Sequence, residues 1–313
     1  MAMSSFGGFT ATDFDAFDPK KWSSHAYNRE RLEVKLKLSD LGKALTQQLA
    51  QQLAGQELGL TEERPSIFNQ QKVRDLTLFF TRGSDARREL ESVVEKHCSL
   101  KEKILDPALH HKHITVGLRI HADGIEFGLW LHHDAWVDWK NLVERCKEHY
   151  EREKLVEIVA GLDGSLCFFQ GDRPTAVVTQ ARSVAIEQLT GSPGSDQPWT
   201  FYGDCLGCSD PVVAGPQLIE RVAQTFARLW PLHQFIAWRR DNDFHRLREM
   251  LKERREKGKM QFSALKTGDE VRILKGLAAG RTGVVEEIEK KGILKVRLGL
   301  MVMSVKVEDV SKP

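Results

Sequence analysis

The spacing of apolar residues changes several times along the chain, and each change predicts an element. Between Arg31 and Leu38, Leu32, Val34, Leu36 and Leu38 alternate with Arg31, Glu33, Lys35 and Lys37. That period of two predicts a half-buried strand. From Asp40 the spacing lengthens to Leu41, Leu45, Leu49 and Leu53, one face of a helix, with Ser39 or Asp40 as N-cap and Gly55 as its stop. Val73 to Thr81 reads as a buried strand, and Gly83 to Asp85 cap a helix carrying Leu90, Val93, Val94 and His97. Ile114 to Leu131 is the clearest hairpin, turning at Ala122-Asp-Gly124. One helix is expected from Trp136 to Leu155, with Trp139, Leu142, Val143, Cys146 and Tyr150 as its stripe.

Shorter strands follow at Leu166 to Phe169, Thr175 to Val178 and Trp199 to Tyr202, with a helix at Ala181 to Leu189 and a loop at Gly191 to Ser195. Pro216 opens a helix faced by Leu218, Val222, Phe226 and Leu229, and Pro231 ends or kinks it. A charged helix is expected from Asp243 to Lys257, and a linker from Lys259 to Leu265. Helices mixed with hairpin-connected strands predict an α+β domain over residues 1–258, its sheet mainly antiparallel with flanking helices.

After the linker the pattern is all strand. Val271 and Ile273 alternate with Glu270 and Arg272, and Val284 to Ile288, Ile293 to Leu298 and Met301 to Val307 follow. Gly268, Gly276, Gly280 and Gly283 punctuate the connections, where tight turns or close backbone approach favour glycine. Several short strands without a helix predict a small closed SH3-like β-barrel over 264–313. Gly268-Asp-Glu-Val-Arg-Ile-Leu-Lys-Gly276, continuing through Gly280 and Gly283 to Val285, resembles the KOW motif of large-subunit ribosomal proteins and NusG-type transcription factors. Lys295 to Asp309 is similar to the barrel segment of a bacterial MutS paralogue acting on ribosomes or DNA. The resemblance implies a binding module for RNA, ribosome or nucleoprotein; such barrels also take DNA or protein.

At the other end, Phe9, Phe14 and Phe17 are spaced to dock on a core. Phe9-Thr-Ala-Thr-Asp-Phe-Asp-Ala-Phe17, Leu41-Gly42 and His113 to Leu118 resemble pieces of the bacterial YktB-like domain family. That resemblance implies a fold and no activity. It implies helix where the alternation at Leu32 to Leu38 predicts strand.

Composition narrows the function classes. A formal charge of +2 leaves any nucleic-acid preference to a local patch. No segment reads as a signal peptide or membrane span, and five scattered cysteines without an export signal fit a reduced, cytoplasmic protein. Within the C-terminal segment, Lys266, Arg272, Lys275, Arg281, Lys290, Lys291, Lys295 and Arg297 sit on turns or outward positions from which they reach phosphates. The segment has no aromatic residue, which favours backbone contact over base reading. The bland alternative is a solvated face balanced by Glu270, Glu286, Glu287, Glu289, Glu308 and Asp309.

Two further constellations carry chemistry. Cys205 and Cys208 form half of a zinc or redox motif, with His110, His111, His113, His132, His133 and Asp204 as the residues that would complete it. His113-Ile-Thr115 resembles the H-x-T motif of two-histidine phosphoesterases. Its only second candidate is His97-Cys-Ser99, at the end of a predicted helix. His110, His111, His121, His132 and His133 read as surface residues at the hairpin ends. The leading expectation is a non-enzymatic binding protein with no cofactor and no membrane partner. The alternatives are a phosphoesterase or nuclease using the His-rich hairpin, and a protein adaptor with a structural barrel.

Overall fold

The computed structural model describes residues 6–94, 109–171, 179–184, 186–191, 199–244, 265–274, 278–289, 293–299 and 301–311, with Arg246 and Glu249. The chain divides into two compact units, Met1–His245 and Arg246–Pro313. The expected charged helix and the linker after it lie almost wholly outside the described residues, as does the strand expected at Thr175 to Val178.

The large unit is built on a seven-stranded antiparallel sheet: β1 (Gln56–Leu60), β2 (Asp75–Arg82), β3 (Thr115–His121), β4 (Gly124–His132), β5 (Cys167–Gln170), β6 (Thr179–Gln180) and β7 (Trp199–Gly207). The spatial order is β1-β2-β3-β4-β7-β5-β6. Among the described residues its α-helices are α1 (Ala11–Asp15), α2 (Asn28–Gln48), α3 (Ser84–Val94), α4 (Leu109–Lys112), α5 (Trp136–Arg145), α6 (His149–Ala160), α7 (Ile186–Thr190) and α8 (Gln217–Ile236). The α+β class expected from the pattern is the class observed.

Side-chain alternation gives the sheet two faces. Leu78 and Phe80 of β2, Val116 and Leu118 of β3, and Phe127 and Leu129 of β4 enter one apolar core with Val34, Leu38 and Leu41 of α2 and Val222 and Phe226 of α8. Phe9, Phe14 and Phe17 join it, each of them buried. Burial of one such ring contributes about 1.5–3 kcal/mol. The opposite face carries Trp130, Phe169 and Phe201, a separate buried cluster joined by Cys167, Trp199 and Cys205.

Three glycines, Gly117, Gly128 and Gly203, stand in register across β3, β4 and β7. A Cβ at Gly128 would collide with the Tyr202 carbonyl, and one at Gly117 would lie 2.5 Å from that of Leu78. Close strand approach requires glycine at this row.

The strand expected at Arg31 to Leu38 is instead the middle of α2. Leu32 and Leu36 are an i,i+4 pair, and so are Val34 and Leu38. The two ladders interleave and imitate alternation. Only one ladder is inward: Val34 and Leu38 are buried, whereas Leu32 and Leu36 are 44% and 59% exposed. Val34, Leu38, Leu41 and Leu45 step by four, three and four, which is helical spacing. Ser39 and Asp40 therefore lie inside the helix and cap nothing. The helix ends at Gln48, and the chain turns through Gly55, which has φ +76°.

The single helix expected from Trp136 is two. Glu148 is extended at φ −77°, ψ 120°, so the ladder stops after α5 and α6 starts afresh. Tyr150 is outward and exposed. The helix expected at Ala181 to Leu189 is likewise broken, because Val184 is extended between a 3-10 turn and α7. Pro231 does not end α8, which runs on to Ile236.

The small unit holds β8 (Glu270–Ile273), β9 (Thr282–Glu289), β10 (Ile293–Leu298), β11 (Met301–Lys306) and β12 (Val310–Ser311), with a 3-10 turn at Val307–Asp309. Its sheet is antiparallel in the order β11-β10-β9-β8-β12. Val271, Ile273, Val285, Leu294, Val296, Val305 and Val310 form its core. Among the described residues the closed barrel expected here is not formed: β11 and β12 are the two edges, with no ladder between them. β12 is two residues long and pairs with β8, too short to close a ring, and β11 exposes Met301 and Val302. Gly268 and Gly280 have φ of +93° and +83°, and Gly283 lets β9 approach the Arg297 carbonyl; Gly276 lies outside the described residues. Among the described residues, no helix is long and apolar enough to cross a membrane.

Candidate functional site

The small sheet sorts its cations by strand. Lys295 and Arg297 lie on β10, whose neighbour β9 supplies the acids. Lys295 Nζ is 2.6 Å from Glu287 and 3.1 Å from Glu289, and Arg297 pairs with Glu286. These carboxylates raise the Lys295 pKa, Glu287 first. Here the solvated, balanced face expected as the bland alternative is what forms, and exposed pairs of this kind contribute little stability. Arg272 differs. It is exposed on β8, in register with Thr282 of β9 on one side and Ser311 of β12 on the other. Arg281 and Lys266 are also exposed, and among the described residues no carboxylate forms an ion pair with any of the three. Lys275, Lys290 and Lys291 lie outside the described residues.

In the large unit, Arg119 and Arg82 are committed inside the fold. Arg119 of β3 faces Glu126 of β4 in register and bonds its Oε2 at 2.6 and 3.0 Å, while its guanidinium lies 4.5 Å from the Trp130 ring centroid. Glu126 is 1% exposed. Arg82 donates to Asp138 at 2.9 Å and to the Trp238 carbonyl. Asp138 in turn accepts the Ile114 and Trp238 amides at 2.9 and 2.7 Å, which ties β2, the start of β3, α5 and the end of α8 together. Asp204, a sequence candidate for metal, faces α8 and is held by Arg221 at 2.7 Å.

The histidines at the end of the central hairpin are not the surface set expected. His110 and His132 are buried, and His111 and His133 half-buried. The His111 and His132 rings stack at 4.2 Å and 15°, with His110 packed 4.3 Å from His111 and Trp199 4.6 Å from His132. β4 and β7 explain the meeting, because His132 and Trp199 are cross-strand partners and α4 brings His111 over them. Burial, then the neighbouring His111 and His133, pushes the His132 pKa down to about 3, and burial lowers His110 well below the ordinary value. The His132 Nδ1 accepts the Asp134 amide at 3.1 Å. One donor atom from each of His111, His132 and Asp134 lies within 4.8 Å of the other two.

The remaining sequence candidates are spread apart. His113 is buried, its pKa pushed down to about 3 by burial and then by Arg82, Arg87 and Lys112. Thr115 is buried opposite Trp130. His97 lies outside the described residues, so no second H-x-T piece faces His113 among them. Cys205 points onto the second sheet face, its Sγ 3.2 Å from that of Cys167, whereas Cys208 is exposed beyond β7. The C-x-x-C spacing therefore does not describe the neighbour of Cys205, which comes from β5. Sequence reasoning missed Cys167, Trp130, Trp199, Arg119 and Glu126. The signal was in β4 itself, where Glu126, Gly128, Trp130 and His132 form the register opposite Ile125, Phe127, Leu129 and Leu131. Comparison with family models and with curated proteins finds no match to this chain.

Proposed function

We propose that this is a non-enzymatic binding protein whose small C-terminal sheet contacts the phosphate backbone of RNA, alone or within a ribosome or nucleoprotein. The observation that carries the reading is Arg272, exposed between the hydroxyl residues Thr282 and Ser311 and unmatched by any described carboxylate, with Arg281 next to Thr282. A guanidinium flanked by hydroxyl donors suits a phosphate oxygen, which accepts several hydrogen bonds at once. The absence of aromatics from this segment argues for contacts that do not read bases. The KOW-like glycine pattern supports the same reading, as does a meander whose fifth strand returns to pair with the first. The cations β9 neutralises, Lys295 and Arg297, are left out of the interface.

A second reading, a protein-docking sheet, draws on exposed Val284, Met301 and Val302 near Arg297. The test is fluorescence anisotropy of the full chain with an unstructured RNA. The double variant R272A/R281A should bind about tenfold or more weakly at low salt, and a Val284→Ser/Val302→Ser variant should bind as the parent does. Absent binding, or loss only in the valine variant, overturns the RNA reading.

A further inference from the structure

We propose that His111, His132 and Asp134 form a binding site for a single borderline divalent transition-metal ion of the zinc class. The site lies in the large unit, where α4 meets the end of β4, and does not depend on the RNA reading of the small sheet.

The donor set fits such an ion. Two imidazoles and one carboxylate are ligands that zinc takes, and three protein ligands with one open position is the arrangement of a zinc centre that keeps a water or exchangeable group. The distances fit as well. Bonds of about 2.0–2.1 Å in tetrahedral geometry hold ligand atoms about 3.3 Å apart. His132 Nδ1 and Asp134 Oδ2 are 3.4 Å apart, so this edge of the tetrahedron already has its length. His111 completes the triangle from within 4.8 Å, so on binding its donor atom moves inward by at most about 1.5 Å and its ring turns out of the stack with His132 to direct a lone pair at the ion. An ion on this edge takes the His132 lone pair now directed at the Asp134 amide.

The surroundings hold these groups in place. Trp139 Nε1 donates to the His132 carbonyl at 3.1 Å, fixing the strand end, and the turn is closed by the Ala135 amide on the same carbonyl at 3.0 Å. His133 Nε2 lies 3.1 Å from Asp134 Oδ1, leaving Oδ2 toward His132, which is how an outer imidazole orients a ligating carboxylate. Trp199 and His110 wall the stacked rings. The Asp134 side chain is 41% exposed, giving the ion a path and its fourth position a side open to solvent.

The test uses the untagged full chain, stripped with chelator and titrated calorimetrically with zinc alone. A cobalt-loaded sample is read by visible absorption for the tetrahedral ligand field. One equivalent should bind, and H111A and D134N should each weaken it more than about a hundredfold, with loss of the cobalt bands. A control at the exposed His149, H149A, should bind as the parent does. Asp134 is the more exposed ligand, so D134N keeps the test decisive if H111A does not fold. Failure of the parent to bind zinc, or unchanged binding in folded D134N, overturns the assignment.

Discussion

The two sheets handle charge in opposite ways. In the large sheet the central strands are buried on both faces, and the arginines on them are committed: Arg119 to Glu126 and Arg82 to Asp138. In the small sheet one face is core and the other is solvent, where β10 is neutralised by β9 but Arg272 of β8 stands between hydroxyls. A cation inside a buried pair cannot serve a mobile anion without leaving its partner uncompensated. The proposed backbone contact is therefore assigned to the small sheet. The proposed metal ion is assigned to the large unit instead, at the stacked imidazoles by the end of β4.

The comparison breaks most readily at the large sheet. Glu126→Gln removes the charge opposite Arg119 and should destabilise the large unit by about 3–5 kcal/mol, because a buried cation loses its counter-charge. Urea unfolding followed by Trp fluorescence measures it. A change below about 1 kcal/mol would mean that the pair is solvated and that the two sheets do not differ as described.

Acid sensitivity sharpens the same contrast. His233 of α8 is buried and stacked on Trp230, and burial, then Arg82 and Arg239, push its pKa down to about 3. Above about pH 6.5 the ring is neutral folded and unfolded alike. Below that, the unfolded chain takes a proton the folded chain refuses, so stability falls as pH drops from about 6.5 toward 3, by up to about 1.4 kcal/mol per pH unit for this residue. His233→Phe should remove one proton's worth of that slope, as read from denaturant midpoints at pH 7 and pH 5. An unchanged slope would place the acid-sensitive groups elsewhere.

Much of this was legible in the sequence. The hairpin Ile114 to Leu131 and the strand at Val73 to Thr81 were readable because each has one apolar register entering a core. The strand read at Leu32 to Leu38 failed because two helical ladders two residues apart produce a period of two, and only tertiary burial says which ladder is inward. The cations of the small sheet were visible as residue types. That Lys295 and Arg297 are matched while Arg272 is not depends on strand register. The histidine cluster was hidden for the same reason: His111 and His132 are 21 positions apart in sequence, and only the packing of α4 on the end of β4 brings them together. The smallest effect follows from the helix correction. Leu36→Glu, on the outer ladder of α2, should change stability by no more than about 0.5 kcal/mol in the same urea experiment, and a larger loss would return Leu36 to the core.

The central claim, that Arg272 and Arg281 give the small sheet its purchase on phosphate, is tested most directly by the salt dependence of RNA binding. For single strands each phosphate contact contributes about −0.7 to the slope of log K against log salt. The parent full chain should show a slope of about −1.4 or steeper, and R272A/R281A should be shallower by about 1.4. A parent that binds no RNA at low salt, or a double variant that keeps the parent's slope, would contradict the account.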